Sequence, residues 1–314
     1  MVRIFDIHAC KNFKKMKLRP PFVVAIGTFD GVHLAHQAVI KRTVAIARRQ
    51  KGTSIILTFF PHPLRITAPH RIPALLTSLE HRLQLISRFN PDACCVVDFN
   101  KSFARLSAEE FIKKFLKDTL NASWVVVGEK FNFGRDRLGN IELLKQQGER
   151  FNYKLTVVPA LKRAGEVISS SLIRESLGNG RLDIARALLG RQFSILGTVV
   201  KGDRRGSKLG YPTANIRPHQ EALPPNGVYA VKVRLQGRLR KGMLYIGTRP
   251  TFYARQTIPT IEVHLFNFRK DIYNEHVEIF FIRRIREDKK FSGHEMLVRQ
   301  LRRDEKKVRK LFGG

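Results

Sequence analysis

Over roughly the first half of the chain, short apolar runs alternate with longer stretches whose apolar residues recur every three or four positions. The runs are Phe22–Ile26, Thr53–Phe59, Ala93–Val97, Trp124–Val127 and Lys154–Val158, rich in β-branched residues and short enough to be strands. Between them the spacing predicts helices near 36–50, 78–89, 107–119 and 140–150. Thr77-Ser78-Leu79-Glu80 and Ser107-Ala108-Glu109-Glu110 read as helix starts, each with a hydroxyl cap and an acid in the first turn. Strands alternating with helices of this length predict a parallel, doubly wound α/β sheet, in which ligands bind beyond the carboxyl ends of the strands.

After about residue 187 the pattern changes. Short alternating runs appear at Phe193–Val200, Val228–Leu235, Met243–Ile246, Ile258–Leu265 and His276–Ile282, punctuated by glycine and proline. They predict a small all-β barrel followed by an amphipathic helix from about Ser292 to Leu311. Helical pieces at Ser171–Leu177 and Leu182–Leu189 close the first domain, and Gly190 marks the change. The expected domains are therefore 1–186, an α/β domain, and 187–314, a β-barrel domain.

Composition narrows the class. The chain has 314 residues, 43% hydrophobic and 27% charged, as soluble globular proteins have. No apolar run approaches the ~18 residues that a membrane helix needs, so no membrane partner is expected. The alternating start, Val2-Arg3-Ile4-Phe5-Asp6, has no apolar core of a secretory leader. Cys10, Cys94 and Cys95 form no CxxC pair, and a reducing cytoplasm is the expected location. The net charge of +32 is extreme. It raises a nucleic-acid partner as an alternative, but it divides evenly between the two halves and forms no stripe or tail except from Arg283 to Lys310. Anionic nucleotide substrates account for it more simply. Oligomeric state is left open.

The candidate chemistry of the first half sits in loops. Gly27-Thr28-Phe29-Asp30-Gly31-Val32-His33-Leu34-Ala35-His36 joins the first strand to a helix, and such turns offer backbone N–H groups and a helix N-terminus to phosphates. His33 and His36, three apart, can project from one face of that first helical turn and donate to a phosphate as charge develops. Taken alone, the pair also suits helix capping or core packing. Three more loops follow strands at the same edge: Thr58-Phe59-Phe60-Pro61-His62-Pro63, Gly128-Glu129-Lys130-Phe131-Asn132-Phe133-Gly134 and Ile168-Ser169-Ser170-Ser171-Leu172-Ile173-Arg174. Serines entering a helix that carries an arginine suit anion binding.

The second half carries Gly202-Asp203-Arg204-Arg205-Gly206-Ser207-Lys208-Leu209-Gly210-Tyr211-Pro212-Thr213-Ala214-Asn215. Its glycines and cations suit a loop over ATP phosphates, although no Walker A pattern is present. Thr213 and Asn215, two apart, put a hydroxyl and an amide oxygen on one strand face, hard donors fit for Mg²⁺; a capped β-turn is the plainer alternative. Ile261-Glu262-Val263-His264-Leu265-Phe266 places one carboxylate in an otherwise apolar strand, where an interior position would be costly unless the group is paired or functional.

These segments, in this order and over nearly the whole chain, resemble the bacterial bifunctional riboflavin kinase/FMN adenylyltransferase (FAD synthetase) family. The matching motifs are GxFDGxHxGH, TFxPHP, GxxFxFG and the ISSTxIR segment in the first half, and PTAN and ExHL in the second. Gly227-Val228-Tyr229-Ala230 and Ile246-Gly247-Thr248-Arg249-Pro250-Thr251-Phe252 agree as well. The resemblance implies a Rossmann-like nucleotidyltransferase domain that joins FMN to the AMP part of ATP and releases pyrophosphate. It also implies a barrel domain that phosphorylates riboflavin to FMN, with Mg²⁺ assisting both. Carried over by resemblance, Gly27, Phe29, Asp30, Gly31, His33, His36, Ser169, Ser170 and Arg174 bind ATP for adenylylation, His33 and His36 acting in catalysis. Pro61, His62 and Phe131 face the flavin. Gly202, Arg205, Gly206, Gly210, Thr213 and Asn215 bind ATP in the kinase, Thr213 and Asn215 hold Mg²⁺, and Glu262 is the general base. The chain departs from the family at Ala35, Lys130 and Leu172 in the first half, and at Ser207 and Asn274 in the second. The alternatives are a riboflavin kinase whose adenylyltransferase domain is impaired, and a basic nucleic-acid-binding protein on the same scaffold.

Overall fold

The computed structural model describes residues 3–6, 18–202, 210–249 and 258–313, and the chain divides into two compact units. One unit comprises Met1–Ala74 and Leu79–Ser170; the other comprises Leu75–Ser78 and Ser171–Gly314. Cys10, the loop residues from Asp203 to Leu209 (with Arg205, Gly206 and Ser207) and Pro250, Thr251 and Phe252 lie outside the described residues.

The first unit is built on β1 (Arg3–Asp6), β2 (Phe22–Ile26), β3 (Thr53–Phe60), β4 (Ala93–Asp98), β5 (Ala122–Gly128) and β6 (Lys154–Val158). They form one sheet in the order β1-β4-β3-β2-β5-β6, with every pairing parallel. Its helices are α1 (Leu34–Arg49), α2 (Leu64–Thr67), α3 (Leu79–Ser87), α4 (Lys101–Ala104), α5 (Ala108–Phe111) and α6 (Ile141–Phe151). Both sheet faces are buried, which is why the strands read as apolar runs and not as strict alternation. Val24, Ile26, Ile55, Leu57, Cys95 and Val125 pack on one face with Phe111, Ile112, Leu116 and Leu144. Val23, Ala25, Ile56, Cys94 and Val126 face the other way, onto Ile40 and Ile46 of α1 and Leu85 and Ile86 of α3.

Two differences from the sequence reading have physical causes. The helix expected over 107–119 starts as predicted, with Ser107 and Glu110 forming a reciprocal capping box, but Ile112–Thr119 continues as a wider π-helical segment. Strand β1 is short and pairs only with β4, so its alternation was too brief to mark it as a strand. A two-stranded hairpin, β7 (Lys162–Arg163) with β8 (Glu166–Val167), follows β6.

The second unit carries α7 (Ser170–Gly178) from Ser171 onward, α8 (Leu182–Leu189) and a closed barrel, so the two helices expected to close the first domain group with the barrel instead. Gly190, at φ 67°, ends α8 in the left-handed conformation that terminates helices. The barrel strands are β9 (Ser194–Val200), β10 (Ala214–Pro218), β11 (Gly227–Leu235), β12 (Arg238–Arg249), β13 (Ile258–Leu265) and β14 (His276–Glu287), and α9 (His294–Leu311) follows. They close in the order β10-β13-β12-β11-β14-β9. Tyr229, Val231, Val233, Leu244, Ile261, Val263, Ile279 and Phe281 fill the interior. The opposite face of the β11–β12 pair presents Val228, Ala230 and Met243, which α9 covers with Val308, Leu301 and Phe312. Strand β10 escaped the sequence reading because Ala214-Asn215-Ile216-Arg217-Pro218 has a single buried residue, Ile216.

Candidate functional site

In a parallel sheet all carboxyl ends lie at one edge, so the loops after β2, β3, β5 and β6 share it. The order β4-β3-β2-β5-β6 reverses between β2 and β5, and that switch point opens the crevice where α/β sheets bind ligands. The Gly27–His36 segment leaves β2 at this point. The Gly27 N–H bonds to the Leu57 carbonyl at 3.1 Å, and the Val32 N–H closes the turn onto the Phe29 carbonyl at 3.0 Å. Phe29 (φ 50°), Gly31 (φ 81°) and Val32 (φ 40°) all take left-handed backbone, a strained choice for a β-branched residue. Burial of Phe29 and Val32 in the core beneath α1 holds them there. A Cβ at Gly27 would lie 3.1 Å from the Phe29 ring, so the buried ring would have to give by a few tenths of an ångström.

His33 is not on the helix, as the spacing suggested, but is its N-cap. Its Nδ1 accepts the His36 N–H at 3.4 Å, which leaves Nε2 as the N–H donor of the neutral ring. The two rings stack with centroids 3.6 Å apart and 19° between planes, and Phe29 meets His36 edge-on at 5.3 Å. His33 is buried and His36 half-buried. Capping and phosphate recognition, set apart as alternatives by the sequence, are thus compatible in one pair.

Two side chains draw other loops to this turn. The Thr58 hydroxyl donates to the Thr28 carbonyl at 3.1 Å, and the Ser170 hydroxyl donates to the Asp30 carbonyl at 2.9 Å. Ser169 precedes it, half-buried. Arg174 stands one turn further along α7. His62 is buried just after β3, where its Nδ1 accepts the Leu64 N–H at 3.3 Å, and Pro61 beside it is half-buried. Phe131, after β5, is half-buried and stacks on Phe133 at 5.4 Å. Lys130 is exposed.

Ala35 is the second residue of α1, in the turn whose free N–H groups would face an anion. Replacing Ala35 with glycine costs the helix up to about 1 kcal/mol and removes a methyl group at that approach. We expect Ala35→Gly to lower KM for ATP in FAD formation, measured by steady-state kinetics; an unchanged KM would show that the backbone already accommodates the methyl.

The barrel's constellation lies along one row of the sheet. Asn215 of β10 pairs with Glu262 of β13, which pairs with Tyr245 of β12, which pairs with Val228 of β11. Directly opposed residues of antiparallel strands point to the same side. Glu262 therefore faces outward, and the interior position considered from the sequence is corrected: Ile261, Val263 and Leu265 take the interior, so the even positions cannot. The outward side spares the half-buried carboxylate an apolar interior.

The Thr213 hydroxyl donates to Glu262 Oε2 at 3.1 Å. His264, next along this face, has its Nδ1 2.8 Å from the Pro212 carbonyl and meets Tyr211 edge-on at 5.2 Å. The Tyr245 hydroxyl donates to Asp288 at 3.1 Å. Burial first, then the Asp288 and Glu262 carboxylates, push the Tyr245 phenol up to about 12, so it remains a donor at neutral pH. Helix α9 is fixed over this side by buried Asp304, which accepts from Arg286 at 2.7 Å and from Gln300 at 2.8 Å. Tyr211 adds a bond to Glu305 at 2.9 Å.

Gly202 packs directly on Asn215: a Cβ there would lie 2.0 Å from Nδ2 and 2.8 Å from Oδ1 of the amide. The glycine leaves the space that the amide occupies beside Glu262. Gly202→Ala is expected to swing Asn215 away and raise KM for ATP in riboflavin phosphorylation on the order of tenfold, about 1.4 kcal/mol. Kinetics of the two activities in one preparation check this, with FAD formation unchanged. Gly210 adopts φ 77° at the far end of the loop. The family's glycine after Asp271-Ile272-Tyr273 is here Asn274, which keeps the left-handed turn at φ 64° because asparagine tolerates it.

No three His, Cys, Asp or Glu side chains cluster as a metal site among the described residues. The hydroxyl and amide oxygens around Glu262 instead fit a Mg²⁺ that keeps most of its waters and shares phosphate oxygens. No helix among the described residues is long and apolar enough to cross a membrane.

A Rossmann-like sheet of nucleotidyltransferase type, with its loops gathered at the switch point, and a six-stranded barrel with an outward-facing carboxylate define a two-domain transferase. The comparisons agree in both parts. The family model described as FAD synthetase matches residues 15–172, and the one described as Riboflavin kinase matches residues 189–312. A bifunctional riboflavin kinase/FMN adenylyltransferase of Buchnera aphidicola (Schizaphis graminum) is 37% identical over 98% of both chains. The Bacillus subtilis protein of that name is 37% identical over 93% of each. A solved chain from Streptococcus pneumoniae that carries the name macrolide-efflux protein is 30% identical, with a TM-score of 0.83 over 98% of this chain and 99% of that one. The chain belongs to the bifunctional riboflavin kinase/FMN adenylyltransferase family.

Proposed function

We propose that the chain converts riboflavin and ATP to FMN within residues 187–314, and FMN and ATP to FAD within residues 1–186. The kinase assignment is carried by Glu262, which accepts from the Thr213 hydroxyl and pairs across the strands with Asn215 on the same sheet face. There Glu262 takes the proton from the ribityl 5′-hydroxyl as its oxygen bonds to the γ-phosphorus and ADP leaves. Thr213 and Asn215 would hold Mg²⁺, which neutralises phosphate charge when bound. Gly202, Gly210, Arg205 and Gly206 belong to the loop over the ATP phosphates.

In the first domain an FMN phosphate oxygen attacks the α-phosphorus of ATP and pyrophosphate leaves, so no covalent protein intermediate is needed. Gly27, Phe29, Asp30 and Gly31 shape the turn, His33 and His36 donate to phosphate oxygens, and Ser169 and Ser170 complete the anion site, with Arg174 assigned to it by family resemblance alone. Pro61, His62 and Phe131 stand on the flavin side. In this reading the reaction runs in the cytoplasm, where ATP is supplied; Cys94 and Cys95, free thiols, suit a reducing compartment. The +32 charge serves anionic substrates in this reading, with no nucleic-acid partner.

Incubation of the protein with riboflavin, ATP and Mg²⁺, resolved by chromatography, is expected to give FMN and then FAD. FMN without FAD, even when FMN is supplied, would leave a riboflavin kinase alone; neither product would overturn both assignments.

A further inference from the structure

Arg82 belongs to none of the motifs, yet it is among the largest fully buried side chains of the chain, 1% exposed on α3. Its Nη1 donates to the Thr58 hydroxyl at 3.1 Å and to the Phe59 carbonyl at 3.0 Å. Thr58 passes its own hydrogen bond to the Thr28 carbonyl, so an unbroken chain links Arg82 to the turn after β2. Its Nε and Nη2 have no hydrogen-bond partner among the described residues.

Guanidinium stays protonated and brings five N–H donors, and leaving some unpaired in a core is strongly unfavourable. An apolar side chain of similar volume would pack there without that cost. Burial pulls the Arg82 pKa down, while the Asp30 and Cys94 side chains act against that fall. Asp30 is itself 1% exposed and lies in the turn that leaves β2. The charge is thus tied to the Gly27–Asp30 turn by the hydrogen-bond chain through Thr58, and the Asp30 side chain interacts with it electrostatically.

We propose that Arg82 is a positioning residue for adenylyl transfer: its buried charge fixes the Gly27–Asp30 turn so that the turn's amides and the α1 N-terminus meet the nucleotide phosphates. The inference rests on the adenylyl-transfer reading and adds a residue outside the family motifs. Arg82 acts through Thr58 and Thr28.

Arg82→Met keeps the volume and removes the charge and donors, whereas Arg82→Lys keeps the charge and one donor group. In Arg82→Met, KM for ATP in FAD formation rises on the order of tenfold and kcat falls on the order of tenfold, while riboflavin phosphorylation is unchanged. Arg82→Lys recovers most of the loss. Amide hydrogen exchange supplies a second readout: ATP slows exchange over Gly27–His36 in the wild type and fails to do so in Arg82→Met. That measurement needs no FAD, so it separates this proposal from the adenylyl-transfer reading. A wild type that makes no FAD while ATP protects the loop only when Arg82 is present would overturn the reaction and keep the positioning role. Wild-type kinetics in Arg82→Met, equal loss of both activities, a lysine variant no better than methionine, or equal ATP protection in Arg82→Met would each overturn the proposal.

Discussion

Glu262→Gln is expected to lower FMN formation on the order of 10²–10⁴-fold, the usual contribution of a positioned general base. The substitution isolates the base. Glutamine has the same length and retains a side-chain oxygen to accept the Thr213 hydroxyl, so the bond now measured at 3.1 Å survives. Glu262 is half-buried on the outer side of the barrel, with Ile261 and Val263 holding the strand from within, so folding stability should change by no more than about 0.5 kcal/mol. What is lost is the ability to take a proton from the ribityl hydroxyl. FAD formation from supplied FMN should proceed as in the wild type, because Glu262 is not among the residues proposed for that chemistry. Parallel assays with riboflavin and with FMN decide the matter: a kinase loss below about threefold, or an equal loss in both assays, would remove Glu262 from the role.

What the sequence made legible, and what it hid, follows from how each signal is encoded. Strands buried on both faces, such as Phe22–Ile26 and Ala93–Val97, announce themselves because nearly every position is under the same demand for apolar side chains. Strand β10 did not, because only Ile216 of its five residues is buried and Asn215 stands on the face that carries Glu262. The face of Glu262 was ambiguous for a related reason. Alternation shows that Glu262 opposes Ile261 and Val263, but only closure of the barrel shows which set lies inside. The Gly27–His36 segment was legible as a turn from strand to helix, with capping among the readings of its histidines, whereas which histidine caps shows only in the backbone, where His33 takes the role. Arg82 was invisible. A cation at one position of an amphipathic helix reads as solvated, and only tertiary packing buries it.

His36→Ala is expected to lower FAD formation on the order of 10²–10³-fold, the loss typical when a donor to developing transition-state charge is removed. Riboflavin phosphorylation should be unaffected. The two histidines can be separated because the structure gives them different duties. His33 caps α1 through Nδ1 and is buried, while His36 stacks on it and remains half-buried. His33→Asn keeps an acceptor at the cap, where asparagine is among the preferred residues, so the helix should be retained. It nevertheless loses the stacked ring that orients His36 and the Nε2–H donor. His33→Asn should therefore reduce FAD formation while keeping wild-type thermal stability, whereas His33→Ala should lose activity and about 1 kcal/mol of stability together. If both histidines served only to cap and pack, activity would follow stability through the whole series. An active His33→Asn protein beside a stable but inactive His36→Ala protein would assign phosphate donation to His36 alone. Loss of activity in both, with stability intact, is the outcome that the stacked pair predicts.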